Sequence, residues 1–287
     1  MATLRETRRR IQSVKSTQKI TRAMEMISSV KMRKARMQVE KIRPYAEELA
    51  RIAGHLATSA SAARSLFTRA PEWIDRVGLV VIGSDRGLCG SFNSNLCKKA
   101  LEFLESRNAV EVELFVIGRK PLAYFGKKEI EVPNGYEDFL SDVAFPKVDT
   151  FASRLSDQFT GGKLQEVYFV YNAFAGPTAQ VVKCERILPF TGPVVEGQSS
   201  IDFILEPQED ELVEQILKTS YVYQVYRRFL ESHTAEQCAR RTAMNAATKS
   251  ASDLIDRLTL MYNKSRQSVI TNELLEIISG SESLRKA

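Results

Sequence analysis

"ATKSASDLIDRLTLMYNKSRQSVITNELL", Ala247 to Leu275, decides how the rest of the chain is read. Small and apolar residues recur at Ala247, Ala251, Leu254, Leu258, Met261, Ser265, Ser268, Asn272 and Leu275, in alternating steps of four and three. That is the heptad period of a coiled coil. The stretch lies inside residues 208–279, a run of 72 without Gly or Pro. As one helix it would span on the order of 110 Å at about 1.5 Å per residue, longer than globular domains ordinarily contain. The seam uses Ala, Ser and Asn where stable coiled coils prefer Leu and Ile. It is therefore thin, and something else should surround it.

A second helix stands at the other end. "ITRAMEMISSVKMRKAR", residues 20–36, has no Gly or Pro and is rich in Ala, Met, Lys and Arg. Ile20, Ala23, Met24, Ile27 and Val30 mark one apolar face. Arg22, Lys31, Arg33, Lys34 and Arg36 crowd the remainder against a single Glu25. The pattern continues past Pro44, which reads as a kink or a short break, and fades between Ser59 and Pro71. The net charge of +6 concentrates here: residues 1–43 hold thirteen Lys or Arg and three acids. The partner of this end should be acidic. Phosphates of a nucleic acid, water around a charged face, and an acidic protein surface all fit that charge. The absence of aromatic residues from 1–43 disfavours single-strand stacking.

Between the helices, strands alternate with short helices. "VGLVVIGS" (77–84), "VEVELFVIG" (110–118), "LQEVYFVYNAF" and "TAQVVKCERILPF" read as strands. "SNLCKKALEFLESR" (94–107), "RKPLAYFGKK" and "VDTFASRLSDQFTGGK" read as helices, and Gly176-Pro177 as a turn. The pattern predicts a mainly parallel, Rossmann-like sheet covered by helices, with a hairpin at its edge. The expected fold class is α/β with long helices, an antiparallel coiled coil of the two ends carrying a central α/β domain. Its expected boundaries are 1–59, 75–190 and 208–284.

Several chemistries are disfavoured at once. No apolar run approaches ~18 residues, and no secretory signal opens the chain. Cys89, Cys97, Cys184 and Cys238 are too scattered for a zinc or redox pair and read as reduced thiols. Two histidines, His55 and His233, leave little for a metal site or a Ser-His-Asp triad. "GSDRGLCGSFN" (83–93) sits between a strand and a helix, where phosphate loops occur. Neither a lysine nor a hydroxyl stands where a P-loop needs it, and the glycine spacing of a dinucleotide loop is absent. Its plainer reading is a tight connection, with Asp85 and Arg86 exposed for a partner or paired to each other. Glu209, Asp210 and Glu211 open the long helix at its positive dipole end. No cofactor or metal is expected.

Three stretches together resemble the γ subunit family of the ATP synthase catalytic sector: "STQKITRAMEMISSVKMRKAR", "SDRGLCGSFN" and "YNKSRQSVITNELLEIISG". Their order and spacing carry the resemblance over essentially the whole chain. It implies a non-catalytic rotor whose antiparallel coiled coil enters a ring of α and β subunits. The α/β domain would hold, with the ε subunit, a membrane c-ring turned by proton flow. The family's contacts place Met24, Lys31, Arg33, Lys34 and Arg240 near an acidic β loop, and Arg266, Gln267 and Thr271 at a β loop that grips the shaft. Asp85, Arg86 and Cys89 match the family's middle motif. The chain starts directly on the family's first helix, which speaks against a transit peptide and for a bacterial protein. It would lie peripherally on the cytoplasmic face of the inner membrane and touch the membrane only through the c-ring. The close cysteine pair of the chloroplast branch is absent, so thiol control is not expected. The reading from another class is a basic coiled coil that binds nucleic acid.

Overall fold

The computed structural model describes residues 4–56, 65–69, 71–174, 176, 180–190 and 209–285. Among the described residues ten elements follow in order: α1 (Leu4–Leu56), β1 (Arg76–Ile82), α2 (Phe92–Ser106), β2 (Glu111–Ile117), α3 (Arg119–Lys127), β3 (Asn134–Tyr136), α4 (Phe145–Thr160), β4 (Glu166–Phe174), β5 (Gln180–Leu188) and α5 (Glu209–Arg285). They divide into two compact units, Ser28–Arg240 and the two ends, Met1–Ile27 with Arg241–Ala287. The acids at 209–211 do open α5. Pro177 of the expected turn and residues 57–64, where the first helical pattern was expected to fade, lie outside the described residues.

The larger unit is built on a five-stranded sheet of order β3-β2-β1-β4-β5. β1 runs parallel to both β2 and β4, with Val80 opposite Phe115 and Phe169. β5 is antiparallel to β4, which is the expected hairpin edge. The central strand β1 is apolar from Val77 to Ile82 apart from Gly78 because both its faces are covered. Alternation sends Leu79 and Val81 to the face under α2 and α3, with Leu96, Ala100 and Phe125. Val80 and Ile82 go to the opposite face, with Phe151 and Leu155 of α4 and Tyr221 and Phe229 of α5. β3 escaped the sequence reading, since three residues "NGY" are too short to show a period.

In this unit α1 packs Met32, Ala35, Val39, Ala46, Ala53 and Leu56 inward. The helix runs unbroken through Pro44, which is exposed. The Glu40 carbonyl that loses its donor there can therefore turn to water. Edge-on packing of Tyr45 on Tyr223, 4.6 Å between centroids, and a Gln224 Nε2 bond to the Ala46 carbonyl at 2.9 Å fasten α1 to α5.

The smaller unit is an antiparallel helix pair. Its half-buried or buried positions on α1 run through Leu4, Thr7, Ile11, Val14, Gln18, Thr21 and Glu25 in steps of three and four, with Met24 half-buried beside Glu25. Their counterparts on α5 are Met244, Thr248, Ala251, Ile255, Leu258 and Tyr262. Thr248 bonds to Thr21 at 2.8 Å and Asn245 Nδ2 donates to Glu25 at 2.8 Å, which fixes the direction and register. The expected seam shares only Ala251 and Leu258 as buried positions, with Ala247 half-buried. Leu254, Met261, Ser265, Ser268, Asn272 and Leu275 are exposed.

Candidate functional site

Three features of the sequence come to definite places. The first is the loop after β1. The chain leaves β1 through α2 to β2 on one side and returns through α4 to β4 on the other. That reversal opens a crevice at the carboxyl ends of β1 and β4, where doubly wound domains hold their ligands. Here α5 fills it. Ser232 Oγ donates to the carbonyl of Ile82, the last residue of β1, at 3.0 Å. Ala235 and Ala239 form a buried cluster with Cys89 and Phe92. Arg240 donates to the Gly87 and Arg86 carbonyls, each at 3.2 Å, and to Glu236 Oε1 at 2.6 Å.

The loop thus turns carbonyls toward α5. A phosphate cradle would turn amides toward its ligand. Asn93 locks the turn, accepting from the Ser84 amide at 3.0 Å and donating to Ser84 Oγ at 2.8 Å. Gly90 takes a φ of +59°, which suits a residue without Cβ, and Leu88 is held at +62°.

Arg240 and Glu236 form a buried pair, with side chains 8% and 7% exposed. Burial pushes the Glu236 carboxyl up. His233, with Nδ1 3.7 Å from Oε2, and Arg240 outweigh it, so the net shift is downward. Arg240 is therefore committed inside the chain. Burial raises the Cys89 thiol, against the pull of Ser84 and Arg240, which makes it a poor nucleophile. Asp85 is not paired to Arg86, as the sequence allowed. Its Oδ1 accepts from the backbone amides of Asp138 at 2.9 Å and Arg119 at 3.2 Å, and Arg86 is exposed.

The second feature is the cationic face. Lys31, Arg33 and Lys34 are exposed on α1, and no described carboxylate forms an ion pair with them. Met24 is half-buried. The apolar face read from the sequence points outward: Ile20, Ile27 and Val30 are 56–61% exposed. The inward positions one residue on, Thr21 and Ser28, are polar.

The third is the far part of α5. Every residue from 263 to 279 is exposed, Val269, Ile270, Leu274, Leu275, Ile277 and Ile278 among them. Arg266, Gln267 and Thr271 lie in this run, and the Thr271 hydroxyl donates to the Gln267 carbonyl at 2.9 Å. Sequence reasoning missed Ser232 and Glu236, for a helix serine and glutamate carry no signal until the loop they meet is known. Among the described residues no cluster of His, Cys, Asp and Glu could hold a metal, and no helix is long and apolar enough to cross a membrane.

A family model described as ATP synthase matches residues 3–284. The ATP synthase gamma chain of Geobacter metallireducens is 36% identical over 288 residues, covering 99% of this chain and 100% of the relative. That of an Anaeromyxobacter species is 38% identical over 292 residues, with the same coverages. Among solved structures, a chain of the Euglena gracilis mitochondrial ATP synthase OSCP/F1/c-ring assembly superposes with a TM-score of 0.68 at 18% identity, over 98% of this chain and 94% of that one. A chain of the Tetrahymena thermophila mitochondrial central stalk/c-ring assembly gives 0.64 at 24% identity, over 79% and 99%. At those identities the likeness is one of fold.

Proposed function

The chain belongs to the ATP synthase gamma family as a non-catalytic subunit, and from that premise we propose that it is the central rotor stalk, carrying rotation to catalytic subunits. The observation that carries the reading is the far part of α5. A helix that leaves six large apolar residues in water between 269 and 278 needs a sleeve around it. A ring of α and β subunits supplies one. The outward apolar stripe of α1, flanked by Lys31, Arg33 and Lys34, suits an acidic, partly apolar loop on β.

The two helices wind as a coiled coil whose faces differ around its axis. Each β subunit then meets a different surface and prefers a different conformation, and turning the stalk moves those preferences around the ring. Arg266, Gln267 and Thr271 supply directional hydrogen bonds where a β loop grips α5. Met24 lies at the edge of the acidic-loop contact, and Arg240 serves it indirectly, by holding the loop that carries Asp85, Arg86 and Cys89. The α/β domain joins the ε subunit and the c-ring, and proton flow through that ring drives the rotation. The chain would sit on the cytoplasmic face of a bacterial inner membrane, attached through the c-ring alone. No feature of the described residues favours nucleic acid as the ligand.

Reconstitution tests this. The chain is mixed with purified α and β, complexes are isolated by size, and ATP hydrolysis is compared with α and β alone. One copy per hexamer and a clear gain in turnover are expected. No complex and no gain would overturn the reading.

A further inference from the structure

The crevice at the ends of β1 and β4 has no part in nucleotide chemistry, and the contacts within it are directional. We infer that Ser232, Glu236 and Arg240 form a torque-bearing joint that fixes α5 to the α/β domain, and that they are positioning residues for rotary coupling. The inference rests on the rotor-stalk reading.

A rotor must pass torque between its domain and its long helix without slippage. Apolar packing alone resists separation but has little directional preference, so a helix can turn or slide in it. Hydrogen bonds resist such shear because they weaken steeply with angle and distance. The joint has them at both ends of a nine-residue span. Ser232 holds the terminal carbonyl of β1, and Arg240 holds two successive carbonyls of the following loop. Glu236, one turn before Arg240, sets the guanidinium in place through a contact buried on both sides. Between them Ala235 and Ala239 allow the backbone to lie close over Cys89 and Phe92. The planar fork of arginine fits this role, because one group reaches two carbonyls and a carboxylate in a fixed geometry.

Cys89 lies under the joint and reports its opening. The test uses the assembled complex of this chain with α, β, ε and c-ring. Maleimide labelling of Cys89 is followed by peptide mass spectrometry, at rest and during ATP-driven rotation. The variants are Ser232→Ala, Arg240→Lys and Arg240→Gln. In the wild type Cys89 stays protected in both conditions. Arg240→Gln should raise labelling at least tenfold, tenfold being about what the net loss of a single charge-assisted hydrogen bond does to a local opening. The rise should be larger during rotation than at rest. Arg240→Lys should restore part of the protection, and Ser232→Ala should shift labelling in the same direction by less. A residue that only supports the fold would lower the yield of complex and leave the rest-to-rotation ratio of labelling at its wild-type value. That result in Ser232→Ala and Arg240→Lys would overturn the inference. A wild-type complex that assembles without rotating would instead overturn the rotor reading, and the joint with it.

Discussion

Neutralising the two ends of the Arg240–Glu236 pair should destabilise the larger unit unequally. Breaking a buried ion pair by removing one partner costs about 3–5 kcal/mol, because the other charge is left uncompensated. The surroundings decide where each variant falls. Glu236→Gln leaves Arg240 with the Gly87 and Arg86 carbonyls, each at 3.2 Å. The cost should be about 3 kcal/mol. Arg240→Gln leaves the Glu236 carboxylate with His233, whose Nδ1 is 3.7 Å away, and it unties both loop carbonyls. The cost should be about 4–5 kcal/mol. The double variant should cost about the same as Arg240→Gln alone, a coupling of about 3 kcal/mol. Native-state hydrogen exchange at the β1 amides Leu79 to Ile82 reads this unit directly. Additive effects, or equal costs for the two single changes, would refute the reasoning. The pH dependence has a fixed sign. The folded carboxyl of Glu236 lies below its ordinary 4.5. Its stabilisation is therefore complete above pH 4.5 and is lost as the pH falls through the folded value.

Phe229→Ala should lower the stability of the same unit by about 3–5 kcal/mol, since the ring is fully buried against Phe139 and Phe151; urea denaturation measures it. Changing Lys31, Arg33 and Lys34 together to Glu should leave the fold intact, because the three are exposed, and reduce proton pumping per ATP hydrolysed. An unchanged ratio in membrane vesicles would remove the electrostatic part of the argument. Arg266→Ala and Gln267→Ala should each lower the turnover of the assembled complex, with a helical circular dichroism signal unchanged in the free chain, because both residues are exposed on α5.

Much of this fold could be read from residues alone. Val77 to Ile82 is apolar at every position except Gly78, and such a strand needs cover on both faces. Residues 208–279 lack any helix breaker. The errors share one physical origin. The apolar stripe of an amphipathic helix is taken to face its own core. On α1 the stripe of Ile20, Ile27 and Val30 faces outward, and Thr21 and Ser28 face in. On α5 the heptad reading tracked Leu254 and Met261, while Ile255 and Tyr262 make the contact. Apolar residues on these helices lie both at the buried contact and in solvent, and one periodicity cannot separate the two sets. The site showed the opposite difficulty. Arg240 was expected at a partner loop, and its guanidinium is buried against the chain's own carbonyls. No spacing in the sequence links residue 240 to residues 86 and 87, because only the folded crevice brings them together.

The filled crevice also determines what the domain can sense. In other doubly wound domains that place is a receptor, and its occupancy reports the concentration of a small molecule. Here the occupant is covalently part of the chain, present at a fixed ratio of one and never released by dilution. A soluble nucleotide would have to displace Ser232 and Arg240 before it could enter. This crevice is therefore closed to a diffusing ligand by the chain's own helix. Its state is set by contacts within the chain rather than by a dissociable ligand at that place.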